Sequence, residues 1–274
     1  MPKVTKTAVV AAVAGGSLCL ALLPFERHGL LASCLGDHPL GPDGVWAGWS
    51  LAPELLLPLF AIGFGVRNAL GTGGSRWLIA GILLLILALV SPLCRLAATL
   101  VSAHMVQFMM LCIAAPLLLT SMVTAKRLPL GPLAVAYGAA IWIWHLPVVY
   151  AAILGQAALH LIAVALLLGI SVLFWRSVLA SATEQPLASL AALLGTMAHT
   201  GFLGAWLTFG TRPWYPFLED SVALWGLTLL EDQQLAGLLM WVVGGVAYLL
   251  AALAVCARAL SQSQGINLPI SVRR

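Results

Sequence analysis

The residues best suited to chemistry in this chain are soft and borderline donors set in apolar segments. Met105, Met109 and Cys112 follow i, i+4, i+7 spacing, which places them on one face of a regular helix, and His104 stands one residue before the stripe. Thioether, thiol and imidazole are donor types that suit Cu(I). His199 joins them as a metal candidate. It sits about ten residues down its own apolar run, roughly 15 Å deep at 1.5 Å per residue, level with Met109 and Cys112. A packing role for the stripe carries more weight, because Met fills irregular apolar gaps and Cys behaves as a small hydrophobe. There is no CxxC, HxxxH or Met-x-Met run to strengthen the metal signal. Haem is the other cofactor to weigh, since His104, His145, His160 and His199 supply enough imidazoles for axial pairs. Three of these four gather at one end of their segments, which ranks haem below copper.

The elements that must position these side chains are membrane helices. The 274-residue chain is 62% hydrophobic and 8% charged, against about 25% charged in an ordinary soluble domain. So few charges cannot cover a water-facing surface of this size. Apolar runs fall at 8–24, 51–70, 77–97, 102–122, 131–147, 157–179, 187–209 and 235–258. Each is close to the roughly 20 residues a helix needs to cross a bilayer, and helices satisfy their own backbone polar groups there. The sequence therefore predicts an all-α integral membrane protein, a bundle of about eight transmembrane helices. Pro129, Pro132 and Pro147 bracket the fifth span, and Gly71–Gly74 reads as a turn. No phosphate-binding glycine loop, GxSxG elbow or HExxH is present, and nothing else marks the chain as an enzyme.

Basic residues set the direction. The net charge of +4 invites nucleic acid as a partner, but the Lys and Arg residues stand singly or in pairs between apolar runs, a pattern that topology explains. With the N-terminus inside, Lys3, Lys6, Arg67, Arg76, Lys126, Arg127, Arg176, Arg258, Arg273 and Arg274 are cytoplasmic, and only Arg27, Arg95 and Arg212 are outside. The expectation is N-in, C-in. The first run has two readings, an uncleaved helix or a signal peptide, and the charged Glu26-Arg27-His28 flank favours the helix. In this topology His28, His38, His104, His145 and His160 all lie outside or at the outer helix ends, with His199 below them, so the outer half of the bundle is the expected working surface. Glu54, Arg95 and Asp232 near the outer ends are read as water contacts or rim ion pairs. Cys34 and Cys94 face the same oxidising side and are free to pair, and five cysteines leave at least one thiol.

A set of ordered motifs then points to a family. Ser91-Pro92-Leu93 ends the third span, and Ser102-Ala103-His104-Met105-Val106-Gln107 leads into Ala115-Pro116-Leu117-Leu118. Trp144-His145-Leu146-Pro147, followed by Tyr150, ends the fifth. Leu159-His160 opens the sixth, which closes on Phe174-Trp175. Pro213-Trp214-Tyr215-Pro216 forms an outer loop, and Asp232-Gln233-Gln234-Leu235-Ala236-Gly237 with Met240-Trp241 opens the eighth. From about Trp49 to Leu260 the chain resembles the multi-pass CtaG-type cytochrome c oxidase assembly proteins of bacteria. The resemblance implies a seven-helix membrane domain (49–260), and the expected N-terminal helix with its outer loop (1–48) and the cytoplasmic tail (261–274) lie outside it. The resemblance also implies a role in building a haem–copper terminal oxidase from the bacterial inner membrane, by moving copper, holding a subunit or guarding an intermediate, with oxidase subunits or other assembly factors as partners. In the family pattern a second His stands at the places of Phe108 and Val164, and both are apolar here. A copper donor independent of oxidase and a haem b electron carrier are the alternatives.

Overall fold

A computed structural model describes residues 34, 38–51, 56, 57, 59, 60, 75–120 and 128–263. The predicted first span, most of the second, His28, Glu54 and the C-terminal tail lie outside the described residues. Among the described residues every regular element is helical. We label them α1 (Ser75–Leu89), α2 (Pro92–Ala97), α3 (Val101–Leu119), α4 (Leu130–His145), α5 (Pro147–Gly155), α6 (Ala157–Ser181), α7 (Pro186–Phe209), α8 (Glu219–Ala223) and α9 (Leu229–Gln262). α3, α6, α7 and α9 are each long and apolar enough to cross a membrane, and α4 with α5 forms a fifth candidate bent by 73°.

Prolines decide where the helices depart from the predicted spans. The third span was expected to run from 77 to 97, but α1 stops at Leu89 and a separate short helix follows. Pro92 cannot continue the ladder. Ser91 turns extended and caps α2, accepting from the Leu93 N–H at 3.2 Å. The fifth span likewise breaks at Pro147: Leu146 is forced into extended backbone, and α5 leaves at an angle. α9 begins earlier than expected, at Leu229. A capping box starts it, in which the Thr228 hydroxyl accepts from the Glu231 N–H at 3.3 Å and Glu231 accepts from the Thr228 N–H at 2.8 Å.

α3 is the centre of the bundle. Its most apolar window is 56% buried, against 28% for α6, 39% for α7 and 28% for α9. It packs against α1, α2, α6 and α9, while α7 packs on α4, α6 and α9. α3 is also irregular, because Met110–Ala114 is a π-helical turn. Pro116 supplies the reason: it has no N–H to offer the Cys112 carbonyl four residues back. That carbonyl is satisfied instead by the Tyr137 hydroxyl at 3.0 Å and the Trp175 indole N–H at 2.7 Å. A second π turn, Met240–Gly244, interrupts α9.

α7 and α9 come into backbone contact. A Cβ on Gly237 would stand 2.5 Å from the Gly204 carbonyl oxygen, and one on Gly204 would stand 2.9 Å from the Gly237 carbonyl oxygen. Only glycine at both places allows this approach, a common device for packing helices in lipid.

Candidate functional site

Three histidines converge where α3 begins, α4 ends and α6 begins. His104, His145 and His160 are each no more than 5% exposed. The His104 and His145 ring centroids are 6.1 Å apart, and both His145 and His160 are near enough to His104 to interact with it electrostatically. Tyr150 packs on His104 at 4.6 Å between centroids. Phe108 fits edge-on to His145 at 4.9 Å. Phe108 thus lies against the same cluster.

The hydrogen bonds assign the protons. The Trp144 indole N–H donates to His104 Nε2 at 2.9 Å, so that nitrogen carries a lone pair. His145 Nδ1 lies 2.7 Å from the Ile141 carbonyl oxygen, which can only accept, so Nδ1 bears the hydrogen. His145 Nε2 is then a bare lone pair, buried and without a partner among the described residues, as are both nitrogens of His160.

Around this cluster the other motif residues hold helix ends together. Asp232 is fully buried and accepts from the Val101 N–H at 2.6 Å, the Ser102 N–H at 3.2 Å and the Ser102 hydroxyl. It caps α3 from a different helix, with its negative charge at the positive end of the helix dipole. The expected rim contact for Asp232 is therefore corrected to a buried cap, because α9 starts early enough to carry the residue into the bundle. Gln233, also fully buried, accepts from the Trp214 N–H at 2.6 Å and donates to the carbonyls of Leu207 and Arg212 at 3.4 and 3.3 Å. Gln234 donates to the Gly210 carbonyl at 3.4 Å, and Gln107 to the Ala88 carbonyl at 2.8 Å. Each takes up a carbonyl at or beyond a helix C-terminus. Tyr150 does the same for Ala97 at 3.0 Å. Tyr215 donates to His145's carbonyl at 3.0 Å, next to the break Pro147 imposes. Burial pushes the Tyr215 phenol up from its ordinary pKa, which keeps it a donor.

Cys34 and residues 38–50 strap this end of the bundle. Cys34 and Cys94 are joined in a disulfide, as their shared side allowed, and Cys112 and Cys256 are free. Arg95 donates to the His38 carbonyl at 3.0 Å, at the exposed edge of this end. The Trp225 indole donates to the Leu40 carbonyl at 2.9 Å, and Ser50 N–H to the Val90 carbonyl at 2.8 Å.

The soft-donor stripe is spread over different neighbours. Met105 is fully buried beside the histidine cluster's own helix start. The Met109 sulfur faces Gly244 of α9, whereas the Cys112 side chain faces Tyr137 of α4 and Ser171 of α6. Cys112 lies within the π turn, whose wider winding rotates it off the regular i, i+4, i+7 face. Half-buried His199 faces α4: its Nδ1 accepts from the Trp142 indole at 3.3 Å, and its ring occupies the space left by Gly138, where a Cβ would stand 3.0 Å from Nε2. Met240 is buried in the second π turn, and Trp241 is 41% exposed. As placed, no three His, Cys, Asp or Glu side chains among the described residues stand close enough to hold an ion.

Sequence reading missed several contributors. Tyr137 and Tyr248 share a hydrogen bond at 2.9 Å beside the freed Cys112 carbonyl. The Ser102–Asp232 and Trp144–His104 bonds leave no mark in the spacing of the motifs. Pro116 was the available signal for the first, since a proline inside an apolar run demands donors for the carbonyl it strands.

Compared with known proteins, residues 73–126 and 129–262 match the family model described as cytochrome c oxidase caa3 assembly factor (Caa3_CtaG). No curated protein and no solved structure matches the chain.

Proposed function

The chain belongs to the cytochrome c oxidase caa3 assembly factor family, and from that premise we propose that it helps build a haem–copper cytochrome c oxidase from within the bacterial plasma membrane. The observation that carries this reading is the family match across residues 73–262. The apolar helices support a membrane location. The geometry supports work at one end of the bundle, where the motif residues collect, and the basic-residue asymmetry makes that end the outer one, in an eight-span N-in, C-in arrangement.

The role is a holding or handing-on one without turnover. Asp232, Gln233, Gln107, Tyr150 and Tyr215 tie five helix ends into a rigid frame, and the histidines sit inside it. Oxidase subunits and other assembly factors are the partners. Copper is the cargo, a reading the unpartnered imidazole nitrogens favour. The test is a clean deletion strain. Assembled cytochrome c oxidase should fall while other respiratory complexes persist, and the wild-type gene should restore it. Normal oxidase activity without the protein overturns the reading.

A further inference from the structure

We propose that His145 and His160, with His104 as third ligand, bind a single Cu(I) ion, in place of the Met105–Met109–Cys112–His199 set. For copper as cargo this rests on the assembly reading above, but the ligand set rests on the geometry alone.

The argument starts from an imbalance. A buried polar atom without a partner costs about 1–3 kcal/mol, and such atoms are rare in folded proteins. Here three nitrogens of two imidazoles, each within electrostatic reach of His104, are in that state among the described residues. His145 is the clearest case. Its Nδ1–H is spent on the Ile141 carbonyl, the arrangement by which metal-binding histidines fix their tautomer and aim the other nitrogen. The aimed nitrogen, Nε2, has nothing to meet.

Spacing agrees with a shared ion. Metal–imidazole bonds of about 2.0–2.1 Å set two rings on one ion with centroids about 5–6.5 Å apart. His104 and His145 are 6.1 Å apart. The His104 lone pair is held by the Trp144 indole N–H, so His104 ligates only when that bond opens. As the side chains stand, no closed three-ligand group is formed among the described residues, so a third ligand requires that opening. Trp144 is thereby a competitor for the ligand nitrogen.

Charge selects the ion. All three imidazoles are neutral ligands, and the Asp232 carboxylate is committed to the start of α3. A divalent ion would leave two uncompensated charges in a low-dielectric bundle, where desolvation rises with the square of the charge. A monovalent ion leaves one. Imidazole suits copper, and Cu(I) accepts two or three ligands without added water.

The experiment uses the full chain in lipid nanodiscs, loaded with Cu(I) under reducing conditions. X-ray absorption should show two or three nitrogen scatterers at imidazole distance and no sulfur shell. Competition with a chromophoric Cu(I) chelator should show at least 100-fold weaker binding in His145→Gln and in His160→Gln. Met109→Leu with Cys112→Ser should leave affinity unchanged, and Trp144→Phe should tighten it by releasing His104. A sulfur shell, or affinity lost in the Met109/Cys112 variant and kept in the histidine variants, overturns the ligand set. Wild-type protein that retains no Cu(I) overturns the site. These readouts use only the purified protein, so their failure is distinct from a deletion strain with normal oxidase, which overturns the assembly reading.

Discussion

Two groups of buried polar side chains lie at the same end of this bundle and differ in one respect. Asp232 and Gln233 on α9 are fully buried, and each makes three hydrogen bonds to neighbouring segments. His145 and His160 are almost as buried, yet three of their four ring nitrogens have no hydrogen-bond partner among the described residues. Burial alone therefore does not separate a structural polar residue from a functional one. The first group closes the hydrogen-bond account of helix ends that cannot reach water. The second leaves its own account open, which a fold has reason to tolerate only when something else fills the gap.

The comparison predicts opposite costs for deleting the two groups. Asp232→Ala should be the most damaging, because it strands two backbone N–H groups and a hydroxyl at the start of the central helix. About 1–3 kcal/mol per buried group left unpaired puts the loss near 3 kcal/mol or more, read from unfolding in mixed detergent micelles. Asp232→Asn keeps one acceptor oxygen and should fall between. A loss under about 1 kcal/mol for the alanine variant would show that water reaches the end of α3 and that the cap is not buried in solution.

Gly237→Ala follows. Its new methyl would stand 2.5 Å from the Gly204 carbonyl oxygen and 2.6 Å from the Thr208 nitrogen, and backbone cannot rotate away as a side chain can. Overpacking of this kind costs about 1–3 kcal/mol. Because Asp232 and Gln233 lie on the same helix, the shift should also loosen the cap. Combining Gly237→Ala with Asp232→Asn should then cost less than the sum of the two. Strict additivity would mean that the α7–α9 contact and the cap are independent.

How much of this was legible in the sequence depends on which rule governed each residue. Apolar runs of membrane length marked α3, α6, α7 and α9 to within a few residues, apart from the early start of α9, because composition and backbone satisfaction leave little else possible in lipid. Pro147 marked the end of α4 but not the 73° bend. Pro116 stood in plain view, yet its consequence, a π turn that moves Cys112 off the Met105–Met109 face, follows only when partners for the Cys112 carbonyl are found. The histidines were expected at one end, and their convergence was beyond reach of spacing, since it depends on which helices are neighbours. The burial of Asp232 is hidden in the sequence for the same reason: its partners are about 130 positions away in the chain.

The smaller effects sharpen the contrast from the histidine side. Tyr215→Phe removes one neutral hydrogen bond to the His145 carbonyl. It should cost about 1 kcal/mol, with no change between neutral and mildly alkaline pH in the wild type, because the buried phenol stays protonated there. His160→Leu should cost least of all. Neither ring nitrogen has a bond to lose, and an apolar side chain of similar size removes two unsatisfied atoms from the bundle, so the metal-free protein should be within about 1 kcal/mol of wild type or more stable. The same substitution should lower assembled oxidase toward the deletion level in cells that express the variant normally. A stable, well-expressed His160→Leu protein that still supports full oxidase would make the open nitrogens a packing accident. Loss of assembly without loss of stability would place His160 among residues kept for what they bind, at a standing cost to the fold.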